Sequence, residues 1–127
     1  MQYIHTCYRV LDLDKSIEFY RDKLGLELRR QSPAGSDATN AFFGIPGEGE
    51  SRLELTFNHD QAEPYSIGDG YSHVAFAVED LDALSDQLEA AGGVEFESKP
   101  HEMGSSGTRL FFVKDPDGYR IEFIERK

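Results

Sequence analysis

The sequence predicts an α+β fold made of two similar halves, each consisting of a strand, a helix and further strands. The first indication is a spacing that occurs twice: His5 precedes Glu54 by 49 positions, and His73 precedes Glu122 by the same 49. Both members of each pair therefore recur 68 positions later, about half of the 127 residues. Self-similarity at a fixed period indicates repeated structural units.

The second indication is that the same offset relates residues outside those pairs. Three segments of the first half align without gaps with segments of the second, and one ordinary domain can contain both copies. We therefore expect a single domain over residues 1–127, with an internal repeat of 1–60 and 69–127. The aligned segments are DLDKSIEFYRDKLG with DLDALSDQLEAAGG, RLELTF with RIEFIE, and HTCYRV with HVAFAV.

The first strand of each half is predicted from alternating side chains. In YIHTCYRV the alternation places His5, Cys7 and Arg9 on one face. In HVAFAV it places His73 on the same side as Ala75 and Ala77. The opposite face of the first strand carries Ile4, Tyr8 and Val10.

A helix follows each of these strands. Asp12 or Asp14 can cap the first helix and Gly25 can end it, because Asp accepts a bond from a free N–H and Gly tolerates positive φ. The copy begins at Asp80 or Asp82 and ends at Gly92-Gly93. Apolar residues at helical spacing are Ile17, Tyr20 and Leu24 in the first helix, and Leu81, Leu84 and Leu88 in the second.

Further strands are predicted where β-branched and aromatic residues cluster between turn signals. These strands are AFFGI, RLELTF, GVEFES, RLFFV and YRIEFIE, with DPDG forming a turn before the last. Segments rich in Gly, Ser, Pro and acidic residues are predicted as loops. The loops are 32–40, 46–51 and 58–71, and the last of them links the halves.

Composition excludes several classes of function. The net charge of −11 argues against a nucleic-acid backbone or an anionic lipid surface as a partner. No apolar run reaches the roughly 18 residues that span a bilayer, and the first ten residues lack the pattern of a signal peptide. Cys7, the only cysteine, leaves no intrachain disulfide, which suits a reducing cytoplasm.

The repeated histidines and carboxylates indicate a metal site. Glu54 lies between Leu53 and Leu55, and Glu122 lies between two apolar residues in the same way. A carboxylate in such a strand must lie on a solvent-exposed face of the sheet or be compensated by a cation. Because each Glu comes with a His at matching spacing, and all four are predicted inside strands, we expect a divalent metal with two His and two Glu ligands.

Four segments carry a family resemblance over nearly the whole chain: HTCYRVLDLDKSIEFYRDKLGLEL, LELTFN, GYSHVAFAVEDLD and FVKDPDGYRIEFIE. The chain resembles glyoxalase I, the lactoylglutathione lyase family of the vicinal oxygen chelate superfamily. The resemblance implies paired βαβββ modules and a homodimer. It also implies that His5 and Glu54 of one subunit bind the metal together with His73 and Glu122 of the other.

The implied reaction is the isomerisation of the hemithioacetal of methylglyoxal and glutathione to S-lactoylglutathione. A divalent ion can hold two vicinal oxygens and stabilise an enediolate where its charge develops. The resemblance assigns proton transfer to Glu122, with Glu54 as the second candidate. A compact chain without long insertions resembles the nickel- and cobalt-activated members, so we expect Ni, then Co or Zn.

The resemblance implies that Arg9 and Asn58 hold the γ-glutamyl end of glutathione. The family's basic residue for the glycine carboxylate has no clear counterpart in HEMGSSGTR, where backbone amides or Arg109 could substitute. Another small thiol is therefore an alternative. His59 and His101 are expected to be solvated, and Cys7 is expected to be a small apolar filler rather than a nucleophile.

Three other functions remain open on this fold. An iron-dependent dioxygenase would use two histidines and one carboxylate, which the fourth ligand Glu54 disfavours. A metal-dependent epimerase or thiol transferase would keep most ligands and differ in its pocket. A non-catalytic drug-sequestering protein would ordinarily lack the ligands.

Overall fold

The computed structural model describes all 127 residues and divides them into two compact units, Met1–Ser66 and Ile67–Lys127. The first unit has the order strand, helix and three strands. Its elements are β1 (Thr6–Arg9), α1 (Leu13–Ile17), which continues as a π-helical segment (Glu18–Lys23), β2 (Glu27–Pro33), β3 (Ala38–Gly44) and β4 (Leu53–Asn58).

The second unit repeats this order with one additional short strand. Its elements are β5 (His73–Val78), α2 (Leu81–Ala91), β6 (Glu95–Phe96), β7 (His101–Glu102), β8 (Arg109–Lys114) and β9 (Arg120–Glu125). The predicted α+β fold class of paired βαβββ modules is confirmed.

Each unit contains one mixed sheet. The strand order is β1-β4-β3-β2 in the first sheet and β5-β9-β8-β6 in the second, where β7 also pairs with β8. In each sheet the first and last strands of the unit are parallel neighbours, β1 with β4 and β5 with β9. This parallel pair brings the histidine end of one strand beside the carboxylate of the other.

The helix of each unit covers one face of its sheet. In the first unit the ring of Tyr20 lies 5.8 Å from Phe43 and 6.4 Å from Tyr8, all three being buried. In the second unit Leu81 and Leu88 are buried, as are Phe111 and Phe123 of the sheet, whose ring centroids lie 5.1 Å apart. The opposite face of each sheet carries the polar residues.

The helix ends agree with the caps expected from the sequence. The Asp12 carboxylate accepts a hydrogen bond from the Lys15 amide at 3.2 Å, and Asp80 accepts one from the Ala83 amide at 3.0 Å. Gly25 follows the first helical stretch with φ of +83°. The helical residues 13–23 and 81–91 keep the 68-residue offset at both ends.

The strand predictions were wrong at the sheet edges. No strand was predicted over Glu27–Pro33, and residues 32–40, predicted as a loop, contain the end of β2 and the start of β3. Strand β2 pairs only with β3 and its register shifts between Leu28 and Arg30, which disrupts simple alternation. GVEFES forms only the two-residue β6, because the amides of Glu97 and Ser98 both bond to the Phe112 carbonyl in a bulge.

No helix of the structure combines the length and the apolarity needed to cross a membrane.

Candidate metal centre

The first half-site consists of His5 and Glu54. The Nε2 atom of His5 lies 2.8 Å from Oε1 of Glu54. Glu54 is the second residue of β4 and lies opposite Cys7 of β1. His5 was predicted inside a strand, but it immediately precedes β1, whose pairing with β4 begins at Thr6 and Leu53.

The second half-site consists of His73 and Glu122. The Nε2 atom of His73 lies 3.1 Å from Oε1 of Glu122. His73 opens β5 and Glu122 is the third residue of β9, so both lie inside strands as predicted. The two half-sites thus use the same histidine nitrogen and the same type of oxygen.

Burial is also matched between the half-sites. The side chains of Glu54 and Glu122 are 12% and 11% exposed, whereas those of His5 and His73 are 36% and 31% exposed. A carboxylate this buried needs a compensating partner. Each carboxylate is thus shielded by its sheet while its histidine reaches towards the open side.

A phenylalanine lies edge-on to the imidazole in each half-site. The ring centroids of His5 and Phe42 are 6.2 Å apart at 78°, and those of His73 and Phe112 are 5.1 Å apart at 86°. Each phenylalanine is also the strand partner of the local glutamate. These rings restrict the imidazole on one side without competing for its nitrogens.

The donor set fits a divalent metal. Imidazole nitrogens and carboxylate oxygens are ligands for Ni, Co, Zn and Mn. Each half-site supplies one imidazole and one carboxylate. No group of three or more His, Cys, Asp or Glu side chains is placed to hold an ion. Because protein sites for these metals use three or more ligands, a half-site contributes only part of the coordination.

A pocket of about 570 Å³ opens beside the first half-site. Its wall includes His5 and Glu54, together with Phe42 and Arg30. The Arg30 guanidinium lies 4.4 Å from the centroid of the Phe42 ring. The remaining lining residues are Ile4, Gly49, Glu50 and Ser51.

Ile4, predicted on the apolar face of the first strand, is 56% exposed, so only Tyr8 and Val10 of that face are buried.

Arg9 and Asn58 follow the alternation that places them on the same sheet face as Glu54. Arg9 pairs with Thr56 in the β1–β4 register, and Asn58 is two residues further along β4. The Asn58 amide donates to the Tyr65 hydroxyl at 2.8 Å. Both residues predicted to contact the thiol therefore belong to the first half.

Cys7 lies on this polar face rather than in the core, so the expectation of an apolar filler was wrong. The residue is exposed, yet its thiol lies 3.2 Å from the Thr56 hydroxyl and is partly shielded. This partial burial raises the pKa of the Cys7 thiol, which keeps it protonated at neutral pH.

The substitute proposed for the missing basic residue is already engaged. Arg109 donates two hydrogen bonds to the Asp82 carboxylate, both at 3.0 Å, and lies 3.5 Å from Glu125. These contacts raise the pKa of Arg109 and lower that of Asp82. Arg109 therefore links β8 to α2, and residues 103–108 before it contain no basic side chain.

The two remaining histidines are exposed, as expected, but each accepts or donates a local hydrogen bond. Nε2 of His59 lies 2.8 Å from the Thr39 hydroxyl, and Nδ1 of His101 lies 2.7 Å from the Lys99 carbonyl. His101 belongs to β7 rather than to a loop.

Three residues behind His73 were missed by the sequence analysis. Ser72 contacts His73, and Arg120 forms an ion pair of 2.6 Å with Glu97. Hydrogen bonding in that pair lowers the pKa of Glu97 and raises that of Arg120. Comparison of these positions with those 68 residues earlier could have identified them, because Ser72 and Glu97 replace Ile4 and Arg29.

Known proteins are similar to this chain over its full length. The family model described as Glyoxalase/Bleomycin resistance protein/Dioxygenase superfamily matches residues 2–123. "Lactoylglutathione lyase" of Haemophilus influenzae is 45% identical, covering 100% of this chain and 94% of the relative. "Probable lactoylglutathione lyase" of Vibrio cholerae is 42% identical, covering 98% and 90%.

Solved structures share the fold. Glyoxalase I from Zea mays has a TM-score of 0.88 at 33% identity over 98% of this chain, which spans 44% of the maize chain. The trypanothione-dependent glyoxalase I of Leishmania major has a TM-score of 0.81 at 34% identity, covering 98% of this chain and 86% of that one. The chain belongs to the glyoxalase/bleomycin resistance protein/dioxygenase superfamily.

Proposed function

We propose that this chain is a metal-dependent glyoxalase I that isomerises the hemithioacetal of methylglyoxal and glutathione to S-lactoylglutathione. The observation that carries the proposal is the pair of matched His–Glu half-sites, 2.8 Å and 3.1 Å between their nearest atoms. The lactoylglutathione lyase activity accords with full-length relatives of that name at 42–45% identity.

The metal site is completed across a homodimer in this proposal. His5 and Glu54 of one subunit and His73 and Glu122 of the partner subunit supply an N2O2 ligand set. Within each subunit the two units form one domain with a repeat of 1–60 and 69–127. Because each half-site has only two donors, pairing unlike halves gives two equivalent sites per dimer.

A divalent metal would supply Lewis acidity for the two vicinal oxygens of the substrate. We favour Ni, then Co or Zn, because imidazole and carboxylate ligands suit all three. A cytoplasmic location accords with the single cysteine.

Glu122 is the proposed base that moves the proton from C1 to C2. Its side chain is 11% exposed and lies next to Phe112, so little water competes for the carboxylate. A positioned base in a dry site removes a carbon-bound proton more readily than one in water. After the proton leaves C1, the same carboxylate can return it at C2. Glu54, the residue at the equivalent position of the repeat, is the second candidate.

Arg9 and Asn58 are proposed to bind the γ-glutamyl end of the thiol. A guanidinium can bind the α-carboxylate by two charge-assisted bonds, and the Asn58 amide lies on the same face. Because Arg109 is paired with Asp82, the glycine end must be held otherwise. The alternative substrate is the adduct of another small thiol, one that has a different group in place of the glycine end of glutathione.

The proposal is tested with metal-free protein reconstituted separately with Ni, Co and Zn. Formation of the thioester from methylglyoxal and glutathione is followed by its ultraviolet absorbance, alongside other small thiols. We expect turnover with glutathione, greatest with Ni. No turnover with any metal would overturn the proposed activity, and turnover with another thiol alone would overturn the choice of glutathione.

A further inference from the structure

The His73 imidazole is held at the nitrogen that does not face Glu122. Its Nδ1 atom lies 2.7 Å from the Ser72 hydroxyl, while its Nε2 atom faces the glutamate at 3.1 Å. The edge of the ring meets Phe112. Three contacts therefore fix the ring of this histidine.

The Ser72 hydroxyl is connected in turn to an anchored guanidinium. Arg120 donates to Ser72 at 3.4 Å through Nη1, and donates to Glu97 at 2.8 Å through Nε and at 2.6 Å through Nη2. Its guanidinium also lies 4.3 Å from the centroid of the Phe112 ring. A fork bound at two atoms and stacked on an aromatic ring has little freedom.

The first half-site has no equivalent chain. Ile4 stands where the repeat would place Ser72, and its hydrocarbon side chain cannot form a hydrogen bond. Arg52, the counterpart of Arg120, donates instead to the Tyr3 carbonyl at 2.9 Å. Arg29, the counterpart of Glu97, binds backbone carbonyls of residues 45–50.

We propose that Ser72, Arg120 and Glu97 are positioning residues that hold His73 by Nδ1 and present Nε2 to the metal, so that the second half-site is the preorganised one. This inference rests on the proposed metal site. None of the three residues touches the reacting atoms, and they act only through His73.

The donors and acceptors of these residues are consistent with a hydrogen bond from Nδ1 of His73 to Ser72. Arg120 can only donate, so it occupies one lone pair of the Ser72 oxygen. A neutral imidazole that offers the Nε2 lone pair carries its proton on Nδ1. The second lone pair of the Ser72 oxygen can accept a hydrogen bond from this N–H group. Partners of this kind fix the tautomer and the ring angle of a metal-binding histidine.

The test measures metal affinity in the absence of substrate. Zn²⁺ is titrated into metal-free protein in competition with a chelating dye. Ser72→Ala should weaken binding about tenfold, because loss of such a partner costs that order of affinity. Ser72→Thr, which keeps the hydroxyl, should restore binding to near the original value. Ser36→Ala removes another exposed, hydrogen-bonded hydroxyl and should leave affinity unchanged.

A spectroscopic measurement separates positioning from a general loss of structure. In the Zn²⁺-loaded protein, NMR of the ¹⁵N-labelled imidazoles should show a slowly exchanging Nδ1 proton on His73. Ser72→Ala should speed that exchange while the melting temperature of the metal-free protein stays unchanged.

Unchanged affinity in Ser72→Ala, or a His73→Ala variant that binds Zn²⁺ normally, would overturn the inference. Neither measurement uses the reaction. Protein that shows the affinity pattern but no turnover would refute the proposed activity alone.

Discussion

The two half-sites share the residue types proposed as metal ligands and differ in the residues behind them. Both contain a histidine Nε2 facing a glutamate and an edge-on phenylalanine. The second has a hydrogen-bond chain behind its histidine, whereas the first adjoins a pocket and shares its sheet face with the residues proposed for thiol binding. The repeat therefore preserves the His–Glu pair, and departures from the repeat distinguish the surroundings of the two pairs.

The residues further along the parallel strands also differ between the two halves. In the first half, Arg9 and Asn58 extend the ligand face along β1 and β4. Their counterparts 68 positions later are Ala77 and Arg126, which do not reproduce the pair. In the proposed function, the first half would therefore hold the substrate, and the second would supply a fixed metal ligand and the base.

Substitution of the two glutamates should give the largest contrast. Glu122→Gln should lower kcat about a thousandfold, because a positioned base contributes a factor of that order, while metal still binds through the amide oxygen. The loss of kcat in Glu54→Gln should be at least ten times smaller than the loss in Glu122→Gln. Steady-state kinetics on metal-loaded variants measures both. Equal losses would remove the distinction between the halves, and a fully active Glu122→Gln enzyme would show that the base is another residue.

Loss of the arginine in the first half should have a smaller effect, confined to substrate binding. Arg9→Ala should raise KM for the hemithioacetal about tenfold with kcat nearly unchanged, because it removes charge-assisted bonds that are present before and during the reaction. Arg126→Ala removes an exposed arginine at the counterpart of Asn58 and serves as the control. If Arg126→Ala raised KM as much, the effect would come from net charge.

The smallest effect concerns the pH dependence of stability. Arg120 lowers the pKa of Glu97, so the pair stabilises the fold fully above the ordinary glutamate pKa and loses that contribution as pH falls through the lower, folded value. Glu97→Gln should therefore reduce the free energy of unfolding by up to about 1 kcal/mol at neutral pH and by less in acid. Denaturant unfolding at both pH values, with Glu95→Gln as control, measures this. A deficit that grew in acid would contradict the ion-pair account.

Much of the fold was predictable because local signals agreed with the tertiary structure. Asp12 and Asp80 cap the two helices, and β4 begins with the alternation of buried and part-exposed residues that its sequence predicts. The edge strand β2 was missed because one side of it has no partner and a register shift interrupts its pattern. His5 fell outside β1 because strand pairing starts only where β4 starts, at Leu53.

The two His–Glu pairs, which the structure brings within 2.8 Å and 3.1 Å, could be picked out from the sequence because a repeat displays them twice. Ser72 and Glu97 do not recur in the other half and were therefore missed, although they stand at positions where the repeat is broken. The pairing of Arg109 with Asp82 was not foreseen for a related reason: it forms because the fold brings the start of α2 to Arg109. Ion pairs of that kind depend on tertiary contacts that spacing does not reveal.

The central claim is that unlike half-sites of two subunits complete each metal site, and subunit mixing tests it most directly. His5→Ala and His73→Ala proteins should each be inactive alone. After subunit exchange, a heterodimer would contain one site with both histidines, so an equal mixture should recover about a quarter of the original activity. No recovery, with heterodimer formation verified, would contradict the account and place all four ligands of each site in one chain.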